Sequence, residues 1–347
     1  MAEHGGALHA AARRYGIPVG QWLDLSTGIN PDGWPVPAVP ARVWNRLPES
    51  DDALLAAAAA YYGNTQILPL SGSQAAIQGL PSLRAPCRVG VVAPTYFEHE
   101  LAWRRAGHTV ALLAPGDVEG ALDQLDVLVL AAPNNPTGWR PNPVRLTAWH
   151  ECLARRGGWL VVDEAFIDAT PEESLVAQAG RPGLAILRSL GKFFGLAGAR
   201  VGFLFAWPAL LEQLADALGP WTVSGPARFV ATAALRDRTW QAQTRERLRR
   251  SGKRLHDLLV ARGLTPDGTT ALFSWCLTEH AADLHEMFSR RAVLVRRFET
   301  PGSLRFGLPG CEREWRRLDR TLVEVAAEGG WQVDRDGPEV GLSAAAR

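Results

Sequence analysis

From about residue 50 to residue 206 the chain alternates between short apolar runs and longer amphipathic stretches. The runs fall at 89–93 (VGVVA), 109–113 (TVALL), 127–131 (VLVLA), 159–163 (WLVVD), 185–188 (AILR) and 201–206 (VGFLFA). Between them, residues 73–84, 96–106, 119–125, 143–156 and 172–179 carry helical spacing, and the alanine run at 56–60 reads as helix too. Apolar runs of about five residues that lack polar alternation are strands covered on both faces. Their alternation with helices predicts an α/β domain whose mostly parallel central sheet is covered by helices. Sheets of this kind bind ligands beyond the carboxyl ends of their strands, so the residues that follow each run are the ones to search for chemistry.

The texture changes after Pro226. One long helix is expected to about Gly263, then strands at 270–277, 293–298 and 303–308 with helices at 281–291 and 312–328, which together make a smaller α+β domain. An amphipathic helix at 7–15 and a Pro/Gly-rich stretch precede the sheet pattern. The expected organisation is an N-terminal segment (1–35), a large domain (36–225), a small domain (226–330) and a poorly ordered tail (331–347).

Composition narrows the function classes. A chain of 347 residues with 47% hydrophobic and 21% charged residues has the makeup of a soluble globular protein. A net charge of +1 speaks against a nucleic-acid partner. No apolar run approaches the ~20 residues of a membrane span, and no secretory leader is apparent. Cys87, Cys152, Cys276 and Cys311 form no C-x-x-C pair, and the eight histidines form no H-E-x-x-H. A cytoplasmic, metal-free enzyme is the expectation. Of 37 basic residues only Lys192 and Lys253 are lysines, the other 35 being arginines. Any chemistry that needs a lysine amine therefore has two candidates.

Lys253 stands in RLRRSGKRLHDLL and reads as a surface lysine. Lys192 stands in Ser189-Leu190-Gly191-Lys192-Phe193-Phe194-Gly195, directly after a strand, with no charged neighbour until Arg200. Burial disfavours the charged ammonium, and a neutral amine attacks carbonyls to give a Schiff base. In the same segment Ser189 and Arg200 are suited to gripping a phosphate. Ser71-Gly72-Ser73-Gln74 precedes an apolar helix and is either an anion-binding helix start or an ordinary cap. Asp163 ends the run WLVVD, where it either caps the next turn or holds a proton on a ring nitrogen. Asn135, in Asn134-Asn135-Pro136-Thr137-Gly138, follows another strand and reads as a turn that can present an amide.

In this order and spacing, N-P-T-G, D-E-A, S-x-x-K and R-x-G resemble the pyridoxal-phosphate enzymes of fold type I, the aminotransferase class I/II family. The match spans nearly the whole chain. The resemblance implies a pyridoxal 5′-phosphate cofactor joined to Lys192, with Asp163 on the pyridine nitrogen, Asn135 on the ring hydroxyl and Tyr96 stacked on the ring. Gly72, Ser73, Gln74, Ser189 and Arg200 would complete the cofactor site. Arg305, in Ser303-Leu304-Arg305-Phe306-Gly307, matches the family's carboxylate-gripping arginine. Two positions depart from the family. Phe166 stands where many members have a tyrosine that meets the ring oxygen, and Leu47-Pro48 stands where some place a tyrosine that reaches the partner subunit's cofactor.

His4-Gly5-Gly6 and the segment Leu23 to Pro31, with D-E-A-F, resemble the members that decarboxylate L-threonine O-3-phosphate to (R)-1-amino-2-propanol O-2-phosphate in cobalamin synthesis. His4, Gly5, Gly6, Gly28, Asn30, Asn135, Arg297 and Arg305 are the residues so implied for a small phosphorylated amino-acid substrate, in a homodimer. The alternatives are transamination, of histidinol phosphate or a related amino acid, and an inactive scaffold of the same fold. A DNA-binding head is not expected ahead of the catalytic pattern. A nucleotide site would need G-x-G-x-x-G or a P-loop, and neither motif occurs.

Overall fold

The computed structural model describes residues 5–49, 53–329 and 331. Near the N-terminus lie a helix, Leu8–Tyr15, and a two-residue strand β1 (Leu23–Asp24). Seven strands then build the large sheet: β2 (Ile67–Leu70), β3 (Arg88–Val92), β4 (Thr109–Leu113), β5 (Val127–Ala131), β6 (Trp159–Asp163), β7 (Leu184–Ser189) and β8 (Gly202–Phe205). Their order across the sheet is β2-β8-β7-β6-β5-β3-β4. The pairings from β7 to β4 are parallel, and β8 is antiparallel to both of its neighbours. This is the mostly parallel, helix-covered sheet that the apolar runs predict.

Alternation within the strands divides two cores. Val127, Val129, Val161, Ala185 and Leu187 join one apolar cluster, whereas Leu128, Leu130, Leu160, Val162 and Ile186 join the other. Both faces are thus dry, which explains runs without polar positions. The second cluster continues through Leu255, Phe273 and Phe288 into the C-terminal elements. There β9 (Gly268–Thr269), β10 (Phe273–Leu277), β12 (Arg296–Glu299) and β13 (Gly302–Gly307) form an antiparallel sheet, and β11 (Val293–Leu294) pairs instead with β1.

Local chemistry overrides periodicity at several places. Residues 172–179 form two short 3₁₀ turns, Pro171–Glu173 and Val176–Gln178, in place of the expected helix. The reason is that the Leu175 N–H donates to Glu164 Oε1 (2.8 Å) and the Val176 N–H to Ser174 Oγ (3.1 Å). The long helix after Pro226 is two helices, Gly225–Arg236 and Arg238–Ala261. Asp237 breaks them by turning its carboxylate back as an N-cap on the Trp240 N–H (3.0 Å). The strand expected at 293–298 is divided between β11 and β12. Helix Pro208–Leu218 and strand β2 lie outside the elements read from the sequence. Pro69 masks β2, which a proline confines to a sheet edge. Of the tail expected at 331–347, all but Trp331 lies outside the described residues.

Candidate active site

The carboxyl ends of β3, β5, β6 and β7 open into a cavity of about 420 Å³, closed on the far side by β12 and β13. Lys192, Asp163, Asn135, Tyr96, Ser73, Gln74, Ser189, Arg200 and Arg305 all line it. The structure therefore brings together residues from positions 73 to 305 that the motifs singled out separately.

Lys192 follows β7 by three residues. Its Nζ lies 3.5 Å from the Thr27 carbonyl and 5.3 Å from the centre of the Phe166 ring. Burial, reinforced by Arg305 and Arg200 and opposed by Asp163, lowers its pKa to about 8. Phe166, at the position of the family tyrosine, is buried edge-on against Phe273 (5.1 Å between centres) and gives the amine an apolar neighbour.

Asp163 is the buried last residue of β6. One carboxylate oxygen accepts the Ala165 N–H (3.0 Å) and the other a hydrogen bond from His99 Nε2 (3.0 Å). His99 is itself buried, on helix Glu98–Arg105 beneath the cavity. The motif reading omits it. Its only trace in the sequence is its place three residues after Tyr96, at a helix start.

The loop after β5 assigns distinct work to two adjacent asparagines. Asn134 accepts from Thr95 Oγ1 (2.8 Å) and donates to the Pro94 carbonyl (2.8 Å), tying this loop to the one that carries Tyr96. Asn135 faces the cavity, and its Oδ1 accepts from Arg305 Nη1. Arg305 is buried, and its Nη2 donates to the Ser26 carbonyl (2.7 Å). Among the described residues no carboxylate pairs with it, so its charge stays available to a ligand.

Gly72 and Gly202 make the close packing around Arg200 and Ser73 possible. Gly72 has φ +80°, and a Cβ there would stand 2.5 Å from Arg200 Nη2. A Cβ on Gly202 would lie 2.4 Å from the Ser73 nitrogen, so the R-x-G motif exists to let β8 approach the Gly72–Ser73 turn. Tyr96 donates its hydroxyl to Gln74 Oε1 (3.2 Å), which fixes both side chains at the cavity wall.

The substrate set implied by resemblance scatters more. Gly5 lines the main cavity, whereas Gly6 and Arg297 line a smaller neighbour of about 130 Å³. Arg297 is paired with Glu299 (3.0 Å), and it is Arg296 that faces the main cavity. Gly28 packs between Phe273 and Phe166. Asn30 is turned away: its Nδ2 donates to the Phe193 carbonyl (2.8 Å) and its N–H to the Lys192 carbonyl (3.0 Å), so it braces the Lys192 loop. His4 lies outside the described residues. Leu47 is exposed, on the surface.

These groups fit pyridoxal 5′-phosphate. An amine of lowered pKa answers an aldehyde, a buried carboxylate a ring nitrogen, and Asn135 a ring hydroxyl. Ser73, Ser189 and Arg200, around a turn that only glycine can make, answer a phosphate. Fold and donor set together define a pyridoxal-phosphate enzyme of fold type I.

Residues 22–318 match the family Aminotransferase class I and II, and the chain belongs to that family. It is 56% identical over 323 residues to the threonine-phosphate decarboxylase of Pseudomonas aeruginosa, covering 93% of this chain and 98% of that protein. With a threonine-phosphate decarboxylase of a Sinorhizobium species it shares 42% identity over 332 residues, again 93% and 98% of the two chains. In fold it resembles the histidinol-phosphate aminotransferase of Sinorhizobium meliloti, solved in complex with pyridoxal 5′-phosphate: TM-score 0.80, 20% identity, 94% and 96% coverage.

Proposed function

We propose that this chain is a pyridoxal-phosphate-dependent decarboxylase that converts L-threonine O-3-phosphate to (R)-1-amino-2-propanol O-2-phosphate in cobalamin synthesis. The observation that carries the reading is the placement of two arginines, Arg296 and Arg305, over the cavity that holds Lys192. A substrate with one amine and two anionic ends matches that arrangement. The near full-length identity to relatives named for this activity supports the same substrate.

When bound, the cofactor supplies a ring that accepts the electron pair of a bond broken at the substrate Cα. The remaining work falls to this chain's side chains. Lys192, neutral at its Nζ for a useful fraction of the time, would hold the cofactor and yield it to the substrate amine. Asp163, fixed by His99 and the Ala165 N–H, would keep a proton on the ring nitrogen. Asn135 would turn its amide to the ring hydroxyl, with Arg305 holding its other end. Ser73, Ser189 and Arg200 would hold the cofactor phosphate. Arg305 and Arg296 would orient carboxylate and phosphate so that the Cα–carboxylate bond stands across the ring. The carboxylate would then leave as carbon dioxide, and Lys192, carrying the proton given up by the incoming substrate ammonium, would deliver it to the carbon left behind.

A cytoplasmic homodimer belongs to the same proposal. All four cysteines are free thiols, as suits a reducing compartment. Trp44, Leu47 and Trp221 are 66%, 66% and 58% exposed. These apolar side chains flank helix Gly225–Arg236, against which helix Ala41–Asn45 packs, and suit a second copy. The two-part division of the chain near residues 225 and 226 is also proposed, resting on the two sheets described above. The reaction is tested by giving the holoenzyme threonine phosphate and histidinol phosphate separately and identifying products by NMR. Aminopropanol phosphate from the first, with no conversion of the second, is expected. Conversion of histidinol phosphate alone overturns the assignment.

A further inference from the structure

We propose that Gly268 is a positioning residue for the cofactor ring: by carrying no side chain, it lets the C-terminal sheet seat directly on the loop that bears Asn135. The inference rests on the cofactor and on Asn135's place at its ring, not on the reaction chosen above. Gly268, on β9, pairs with Trp275 on β10, and Trp275 pairs in turn with Arg305 on β13. Residues in register across a sheet point to one face, so this row presents Gly268 at one end and the Arg305 guanidinium at the other. Both ends touch the Asn135 loop. Arg305 Nη1 donates to Asn135 Oδ1, which leaves the amide Nδ2 as the end that donates to a ligand. At the other end, a Cβ on Gly268 would overlap the Thr137 carbonyl oxygen, and one on Gly138 would stand 2.7 Å from the Thr269 carbonyl oxygen.

Neither surface has room to yield. The loop is closed on itself: the Gly138 N–H donates to the Asn134 carbonyl (2.7 Å), the Asn134 N–H to the Trp139 carbonyl (2.7 Å), and Asn134 Nδ2 to Thr137 Oγ1 (2.7 Å). Behind β9, a Cβ on Gly252 of helix Arg238–Ala261 would stand 2.9 Å from the Thr270 carbonyl oxygen, so that helix backs the strand at close range. A side chain at position 268 therefore pushes the loop as a unit and carries Asn135 with it. Gly268 lies outside the cavity lining and has no charge, so its influence on the ring passes through its neighbours.

An amide N–H held against the ring hydroxyl favours the ionised oxygen, so displacing Asn135 makes the bound cofactor keep its proton to higher pH. The test is a pH titration of the visible absorption of substrate-free holoenzyme, in wild type, Gly268→Ala and Thr270→Ala, each with and without Asn135→Ala. Thr270 Oγ1 accepts the Leu272 and Phe273 N–H groups (3.1 and 3.2 Å), so its loss loosens the β9–β10 turn without adding atoms. Gly268→Ala is expected to raise the midpoint by at least about half a pH unit, and Thr270→Ala by about half as much. Cofactor affinity should change less than about threefold, because the corner of Gly72, Ser73 and Arg200 is untouched. In the Asn135→Ala background neither substitution should move the midpoint by more than about 0.1 unit. A midpoint for Gly268→Ala within about 0.1 unit of wild type overturns the proposal. So does an equal shift with Asn135 absent, which would route the effect through Arg305 or through general loosening. Should Gly268→Ala not fold, Thr270→Ala decides on the same terms.

Discussion

At the scale of single residues, the proposal depends on an amine that is reactive near neutrality. Lys192 titrates at about 8, so roughly a tenth of it is neutral at pH 7, against fewer than about one in a thousand for an ordinary lysine. The rate at which the cofactor-free enzyme captures pyridoxal phosphate should therefore rise with pH and level off above about 8. A stopped-flow profile still climbing toward 10 would contradict this. The sign for stability is the same: between pH 8 and the ordinary lysine value of 10.5 the unfolded chain holds a proton that the folded chain has released, so stability gains with pH there. Gly72 makes a second claim. Gly72→Ala forces a Cβ against the Arg200 guanidinium at a positive φ, and cofactor affinity should fall at least about tenfold, read by fluorescence titration of the cofactor-free protein. Unchanged affinity would mean that the corner does not hold the phosphate.

Between elements, one buried cluster ties the ends of the site-bearing strands together from behind. Glu164, beside Asp163, and Arg188, beside Ser189, form a 3.0 Å ion pair on the face away from the cavity, with Asp168 2.5 Å from the same guanidinium. All three are at most 2% exposed, and Arg188 also lies over the Tyr62 ring. Removing the one cation strands two carboxylates. Arg188→Met is expected to cost about 3–5 kcal/mol in urea denaturation; a cost under about 1 kcal/mol would show that the cluster does not hold the strands. Asp237→Ala should cost about 1 kcal/mol by uncapping the long helix. These elements also mark how far the sequence could be read. The central strands were legible because a sheet covered on both faces demands unbroken apolar runs. The break at Asp237 and the turns at 171–178 were not, because side chains of Asp237, Glu164 and Ser174 capture backbone N–H groups that periodicity assigns to helix. Asp163, Asn135 and Lys192 announced themselves by standing at or just beyond the carboxyl ends of strands, and Arg200 by its spacing from Lys192. His99 and Arg296 did not, because their roles come from a helix packed under the sheet and from the β12–β13 register.

Across the whole molecule, the site is closed by parts distant in sequence. The strand at Leu23–Asp24 pairs with Val293–Leu294, which carries the N-terminal segment alongside the elements that bear Arg296 and Arg305. Sedimentation equilibrium should give twice the chain mass of 37.6 kDa, and Trp44→Arg should shift it toward the monomer; a wild-type monomer would remove the dimer from the proposal. What sets the proposed reaction apart from transamination is that the bond broken at Cα is the one to the carboxylate. The most direct measurement is to incubate holoenzyme with O-phospho-L-threonine and no 2-oxo acid, following carbon dioxide and aminopropanol phosphate together. Equimolar release of both is predicted. No carbon dioxide, with turnover appearing only when 2-oxoglutarate is added, would contradict it.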